Sequence, residues 1–421
     1  MAEITETPTG LRIHIGFFGR TNSGKSSLIN ALSGQDVSIV SPEAGTTTDP
    51  VYKAIEIAPI GPCVLIDTAG ICDGTALGEL REERTKKVIK ESDILVVLFD
   101  EKCLNNDGLE GAYFNTNNKI VGSDYNLYGS PVIPVITKAD IIDKKTLNII
   151  KEKIVSLTGV PSEDIICVSS VTGEGIGKLR HAVINAVSDK TDRTILGGMV
   201  SEDDIVMLVM PQDKQAPKGR LILPQVTTLR ELLDDHARVI CVAPEQMSSA
   251  LSMLKEAPSL IITDSQVFYY VYERKPDESR LTTFSVLYAG LKGDIRMFME
   301  GAKAIGRLKP GARLLIAESC SHAPMEEDIG RVKIPNMIKK RIGGDVTVEV
   351  YAGKDFPDDL SGYDLILQCG GCMVNRRQIM NRVEKAVSQG VPITNYGIAI
   401  AYLKGILDKI TVPSGNSLPG V

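Results

Sequence analysis

The sequence predicts an α/β protein of three successive units, over residues 1–190, 197–280 and 281–421, and three observations carry that prediction. An apolar run over 13–18 passes through Gly19-Arg20-Thr21-Asn22-Ser23-Gly24-Lys25-Ser26 into the helix-like Ser27-Leu28-Ile29-Asn30-Ala31-Leu32, a strand, phosphate loop and helix in that order. Short apolar runs over 204–210, 239–243, 260–263, 312–317 and 363–367 then alternate with helical patterns, as parallel sheets require. A chain of 421 residues is also too long for one ordinary core.

Composition narrows the classes. With 43% apolar and 24% charged residues the chain is globular rather than disordered or fibrous. Its longest apolar runs are about half a membrane span, and no basic-then-apolar leader opens it, so a cytoplasmic protein with no membrane partner is expected. A net charge of −6 argues against nucleic acid as the main partner. Histidine occurs only at His14, His181, His236 and His322, too few for a His-rich centre. Among eight cysteines only Cys369 and Cys372 form a close pair, which in a reducing compartment points to metal or redox chemistry. Cys63, Cys72, Cys103, Cys167 and Cys241 read as small buried hydrophobes.

In the first unit the binding set of the phosphate loop is Gly19, Asn22, Ser23, Gly24, Lys25, Ser26 and Ser27. The glycines let backbone N–H groups wrap a phosphate at a helix N-terminus, Lys25 reaches the β/γ-phosphates, and Ser26 ligates Mg²⁺. A hydroxyl-rich segment, Ala44-Gly45-Thr46-Thr47-Thr48-Asp49, follows. An extended run over 63–66 ends in Asp67-Thr68-Ala69-Gly70, where Asp67 holds Mg²⁺ through water and the Gly70 N–H faces the γ-phosphate. Buried strands over 94–99 and 132–136 come next, the second running into Thr137-Lys138-Ala139-Asp140. Asp140 can accept two hydrogen bonds from the guanine N1–H and N2–H₂ edge, which adenine cannot offer. Val168-Ser169-Ser170-Val171-Thr172-Gly173-Glu174-Gly175 is a strand-end loop that brings Ser169 and Ser170 to the base. Residues 104–129, rich in Asn, Gly and Tyr, read as a loop or distorted helix.

These motifs, in this order, resemble a GTPase of the TrmE/Era branch, which implies GTP and GDP as ligands and Lys25, Thr47, Asp67 and Gly70 as the catalytic set. The resemblance makes Thr47 the switch contact to Mg²⁺ and γ-phosphate, and Asn22 a K⁺ ligand that implies K⁺-stimulated hydrolysis. Asn22 as a mere turn cap is the alternative. Ile71 stands where a water-orienting Gln would be, so slow intrinsic hydrolysis is expected. Thr137 replaces the usual Asn of the Asn-Lys-x-Asp motif, removing an amide that would brace the phosphate loop; weakened nucleotide affinity is expected.

The middle unit is small for an independent core and reads as a dimerisation module. Its basic turn, Lys214, Lys218 and Arg220, reads as a solvated loop. In the last unit, Glu318-Ser319-Cys320-Ser321-His322 and Gln368-Cys369-Gly370-Gly371-Cys372 each follow a buried strand, at the sheet edge where ligands bind. Cys-x-His far upstream of Cys-x-x-Cys suits closed tetrahedral zinc, an iron–sulfur cubane on the three cysteines, or structural thiols alone.

The whole order of modules, including Ala216-Pro217-Lys218-Gly219-Arg220-Leu221, resembles the HydF family of FeFe-hydrogenase maturation GTPases. The resemblance implies a P-loop GTPase fold, a small α/β dimerisation unit and a cluster-binding domain with an open parallel sheet. It implies a homodimer that holds a 4Fe–4S cluster on Cys320, Cys369 and Cys372 and carries the diiron precursor of the H-cluster. The partners it implies are two radical-SAM maturases and the hydrogenase. Gln368 stands where the family often has His, so the fourth iron site falls to His322, to an acid such as Glu318, or to solvent. Two other readings remain at this point: an RNA-associated GTPase with structural zinc, and a GTP-regulated dithiol redox protein.

Overall fold

A computed structural model describes residues 9–34, 50–68, 84–85, 87–101, 126–127, 130–188, 194–212, 221–319, 328–353 and 355–413. The chain divides into two compact units, Met1–Asp192 and Arg193–Val421.

In the first unit the described strands are β1 (Ile13–Phe18), β2 (Val51–Ile57), β3 (Gly61–Asp67), β4 (Ile94–Phe99), β5 (Asn126–Leu127), β6 (Ser130–Ile136) and β7 (Ile166–Cys167). They form one sheet in the order β2-β3-β1-β4-β6-β5, with β7 also on β6. The central strands are parallel, and β2 turns back antiparallel on β3, a hairpin that the apolar pattern does not announce. Ile15, Phe17, Val96 and Leu98 enter one core while Phe18, Leu95, Val97 and Phe99 enter another, so both faces are covered. That is why these strands read as continuous apolar runs. Each fully buried Ile, Leu or Phe contributes about 1.5–3 kcal/mol.

The second unit holds two sheets. The first contains β8 (Ile205–Val209), β9 (Arg238–Val242), β10 (Leu260–Thr263) and β11 (Arg280–Thr283), in the order β11-β10-β8-β9. The other contains β12 (Arg313–Ala317), β13 (Thr347–Tyr351), β14 (Leu365–Gln368) and β15 (Ile393–Asn395), in the order β13-β12-β14-β15. All their pairings are parallel. Residues 281–283, at the head of the third unit in the sequence reading, thus belong with Arg280 to the outer strand of the middle sheet, paired with β10 from Leu260↔Arg280 to Thr263↔Thr283. The two sheets share a core: Met207, Val209 and Ile261 pack in one cluster with Leu315, Ile366, Phe298 and Ile398. The middle sheet is too small to cover itself, and its cover comes from within the same chain.

In the last sheet the chain leaves β12 for β13 on one side and returns to β14 on the other. The strand order therefore reverses between β12 and β14, and the carboxyl ends of these two strands open the crevice where α/β sheets bind ligands.

Candidate functional site

The phosphate loop spans the end of β1 and the start of the helix Lys25–Ser33. Gly24 caps that helix at φ 92°, a left-handed conformation that only glycine adopts freely. Asn22 is also left-handed at φ 62°, which asparagine tolerates better than most residues. Lys25 is 7% exposed, and its Nζ donates to the carbonyls of Gly19 at 2.9 Å and Arg20 at 2.8 Å. Burial pushes this amine below its ordinary value, while Asp67 and Asp100 pull it back up. Ser26 Oγ donates to Asp67 Oδ2 at 2.6 Å, so two oxygens suited to a hard cation already meet at the helix start.

Among the described residues, two buried polar atoms around the loop have no hydrogen-bond partner: Ser23 Oγ and Asp100 Oδ1. Asp100 directly follows β4, and the sequence reading passed over it, although a carboxylate after a buried apolar strand was a visible signal. Thr137, 3% exposed, supplies the brace that its lack of an amide had put in doubt. Its Oγ1 donates to the Ser23 carbonyl at 2.7 Å, with the Phe99 carbonyl at 3.2 Å. Lys138, left-handed at φ 58°, donates from Nζ to the Asn22 carbonyl at 2.8 Å, a second tie on the loop. The expected loss of bracing is therefore corrected: a hydroxyl and an ammonium hold the loop from the far side.

Asp140 is exposed and follows β6, where the Ala139 N–H donates to the Val168 carbonyl at 3.1 Å. This joins the Thr137–Asp140 turn to the Ser169–Ser170 loop. Ser169 is buried and its Oγ accepts from the Val171 and Thr172 N–H groups at 3.2 and 3.1 Å, which shapes that loop locally. Thr47 and Gly70 lie outside the described residues.

At the second candidate site, Gln368 ends β14 and Cys369 follows it; Ser319 follows the end of β12. The Ser319 N–H donates to Cys369 Sγ at 3.1 Å, and Ser319 Oγ lies 3.1 Å from the same sulfur. Gly371 is left-handed at φ 70°, and a Cβ there would meet Ile379 Cδ1 at 2.9 Å, whereas a Cβ on Gly370 would meet nothing within 4 Å. Among the described residues the buried hydroxyls of Tyr288 and Tyr396 have no hydrogen-bond partner. Burial and then Cys372 and Cys369 push the Tyr288 phenol up, and burial and then Cys369 do the same to Tyr396. Glu318, 2% exposed, spends both carboxylate oxygens on Arg331, at 3.1 and 2.6 Å. Cys320 and His322 lie outside the described residues, as does the 213–220 turn. Among the described residues no three His, Cys, Asp or Glu side chains gather as a metal set. Nor is any helix among the described residues long and apolar enough to cross a membrane.

Comparison with known families bears on both sites. Residues 14–138 match the family described as 50S ribosome-binding GTPase, 195–293 the hydrogen maturase F dimerization domain, and 296–413 the hydrogen maturase F tetramerization domain. The chain belongs to the hydrogen maturase F family. Its GTPase portion is 34% identical over 174 residues to the tRNA modification GTPase MnmE of Cupriavidus metallidurans, covering 40% of this chain and 36% of that protein. GTPase Der of Clostridium botulinum is 29% identical over 209 residues, 48% of this chain and 45% of that one. The chain thus spans less than half the length of these curated relatives. Among solved structures, Era of Aquifex aeolicus bound to GDP and aluminium fluoride matches at 19% identity and TM-score 0.32, over 55% of this chain and 92% of that one. The hydrogen maturase F models assign self-association to both parts of the second unit, while the sequence reading gave it to the middle part alone.

Proposed function

We propose that this hydrogen maturase F protein hydrolyses GTP and serves as a scaffold that holds a 4Fe–4S cluster and delivers the diiron precursor of the H-cluster to FeFe hydrogenase. The observation that carries the reading is the meeting of Ser319, Gln368 and Cys369 at the carboxyl ends of β12 and β14, in the same chain as a braced phosphate loop. The donor chemistry fits a cluster: two cysteines at a strand-order reversal, open space beside Gly370, and two orphaned tyrosine hydroxyls close by. Cys369 and Cys372 would hold it with Cys320, leaving a fourth position to His322 or solvent, since Glu318 is paired with Arg331. A cluster bound there supplies an iron with an exchangeable site, to which a diiron unit could attach through a shared ligand.

In the GTPase part, Gly19, Asn22, Ser23, Gly24, Lys25, Ser26 and Ser27 bind the phosphates. The orphaned Ser23 Oγ and Asp100 Oδ1 and the Ser26–Asp67 contact fit a site completed by phosphate and Mg²⁺. Lys25 neutralises phosphate charge, Thr47 and Gly70 sense the γ-phosphate, and Asp140 with Ser169 and Ser170 selects guanine. Asn22, whose carbonyl is held by Lys138, is the residue to which K⁺ stimulation would trace. The modules act as a nucleotide unit, a self-association unit and a cluster unit. The homodimer or larger assembly works with two radical-SAM maturases in the cytoplasm.

The test is activation of metal-free FeFe hydrogenase by protein prepared anaerobically with both maturases. Activation that depends on Cys369 and Cys372 is expected. Full activation by the Cys369→Ala, Cys372→Ala protein would overturn the scaffold role.

A further inference from the structure

Arg382 lies on the helix Arg376–Ser388 and is 6% exposed, and among the described residues its hydrogen-bond acceptors are neutral oxygens. Its Nη1 donates to Gln368 Oε1 at 3.1 Å and to the Glu318 carbonyl at 3.4 Å, and its Nη2 to the Gly353 carbonyl at 2.6 Å. The guanidinium sits 5.3 Å from the centre of the Phe356 ring. Among the described residues no carboxylate lies within ion-pair distance of it; the nearby Glu318 carboxylate is taken by Arg331. A cation buried this way is costly unless negative charge lies close. The groups whose ionised forms favour its charge are Cys369, foremost, and then Asp355.

Gln368 is the link. It is 0% exposed, and a guanidinium carries donors only, so the amide atom facing Arg382 must be the oxygen. That orientation turns Nε2 toward Cys369, 3.6 Å from Sγ and 3.2 Å from its carbonyl, with Ser319 Oγ at 3.4 Å. The oxygen that could have bound iron is spent on Arg382, and the N–H groups face the sulfur.

We propose that Arg382 and Gln368 form a positioning pair that places a buried positive charge and an oriented amide donor behind Cys369, setting the reduction potential of the cluster held there. The inference rests on the cluster reading and deepens it. Hydrogen bonds and positive charge near a cluster sulfur favour the reduced, more negative state, so the pair raises the potential. Neither residue ligates iron.

The experiment is an EPR-monitored redox titration of the full-length protein after anaerobic reconstitution, with iron and acid-labile sulfide measured on each sample. Gln368→Met and Arg382→Met are expected to keep iron and sulfide but lower the midpoint. At a fixed potential the reduced-to-oxidised ratio should fall about tenfold, equivalent to about 59 mV for one electron. Arg382→Lys keeps the charge and should recover most of the wild-type midpoint. If Arg382→Met does not fold, Gln368→Met and Arg382→Lys still decide. An unchanged midpoint in Gln368→Met and Arg382→Met, or in Gln368→Met alone where Arg382→Met does not fold, with full cluster content would overturn the pair while leaving the cluster reading intact. Absence of iron and sulfide from the wild-type protein would overturn both.

Discussion

Removing the Thr137 hydroxyl without changing the side chain's shape, as Thr137→Val does, separates the bracing of the phosphate loop from the guanine contacts. The hydroxyl makes one short bond, 2.7 Å to the Ser23 carbonyl, inside a buried junction. The Phe99 carbonyl, its weaker acceptor, keeps the Thr137 N–H at 2.8 Å and so stays satisfied. The loss therefore falls on Ser23, whose N–H bonds back to the Arg20 carbonyl at 3.1 Å and which sits at the turn of the loop. Stranding one buried carbonyl costs about 1–3 kcal/mol. If the nucleotide-bound loop bears that cost, affinity for GDP falls roughly 5- to 150-fold, at 1.4 kcal/mol per tenfold. Titration with a fluorescent GDP in excess Mg²⁺, alongside nucleotide-free thermal unfolding, reads the two effects separately. Thr137→Ser should bind within about twofold of wild type because it keeps the bond. Wild-type affinity in Thr137→Val would refute the brace.

Other predictions follow from the same geometry. Lys25→Met should abolish nucleotide binding, and in the nucleotide-free protein it removes both a cation whose burial disfavours charge and two hydrogen bonds to loop carbonyls. Its folded pKa lies below the ordinary 10.5, so the unfolded chain binds more protons between the two values and wild-type stability rises with pH across that window. The stability of wild type relative to Lys25→Met should be lowest below the folded pKa and rise toward pH 10.5, as read by denaturant titration at several pH values. Asp140→Asn should weaken guanine nucleotides by about 1.5–3 kcal/mol and favour xanthine nucleotides, whose C2 oxygen accepts from the new amide; competition binding measures this. Replacing K⁺ by Na⁺ should slow phosphate release in the wild type and have no effect in Asn22→Ala. Equal rates in both salts for the wild type would remove Asn22 from cation binding.

The legible parts of this protein are those where chemistry is local in sequence. The phosphate loop, Asp67, Thr137–Asp140 and Ser169 all follow apolar runs, and each sits at the carboxyl end of a strand as such runs predict. Parallel strands buried on both faces look alike, so nothing in Arg280–Thr283 tells which sheet it joins; that is decided by pairing with Leu260–Thr263. Whether Thr137 braces the loop depends on a contact 114 residues away, to the Ser23 carbonyl. Arg382 lies 14 residues beyond Gln368 on an amphipathic helix where one arginine among several gives no sign of being buried. Long-range packing, not motif, sets these roles.

The central claim is that a GTPase and an iron–sulfur site share this chain. Iron and acid-labile sulfide per chain in anaerobically prepared protein, with EPR of the reduced sample, test it most directly. Cubane iron and sulfide in near-equal amounts, with a reduced-state EPR signal lost in Cys369→Ala, is the predicted result. Zinc bound without sulfide would contradict it.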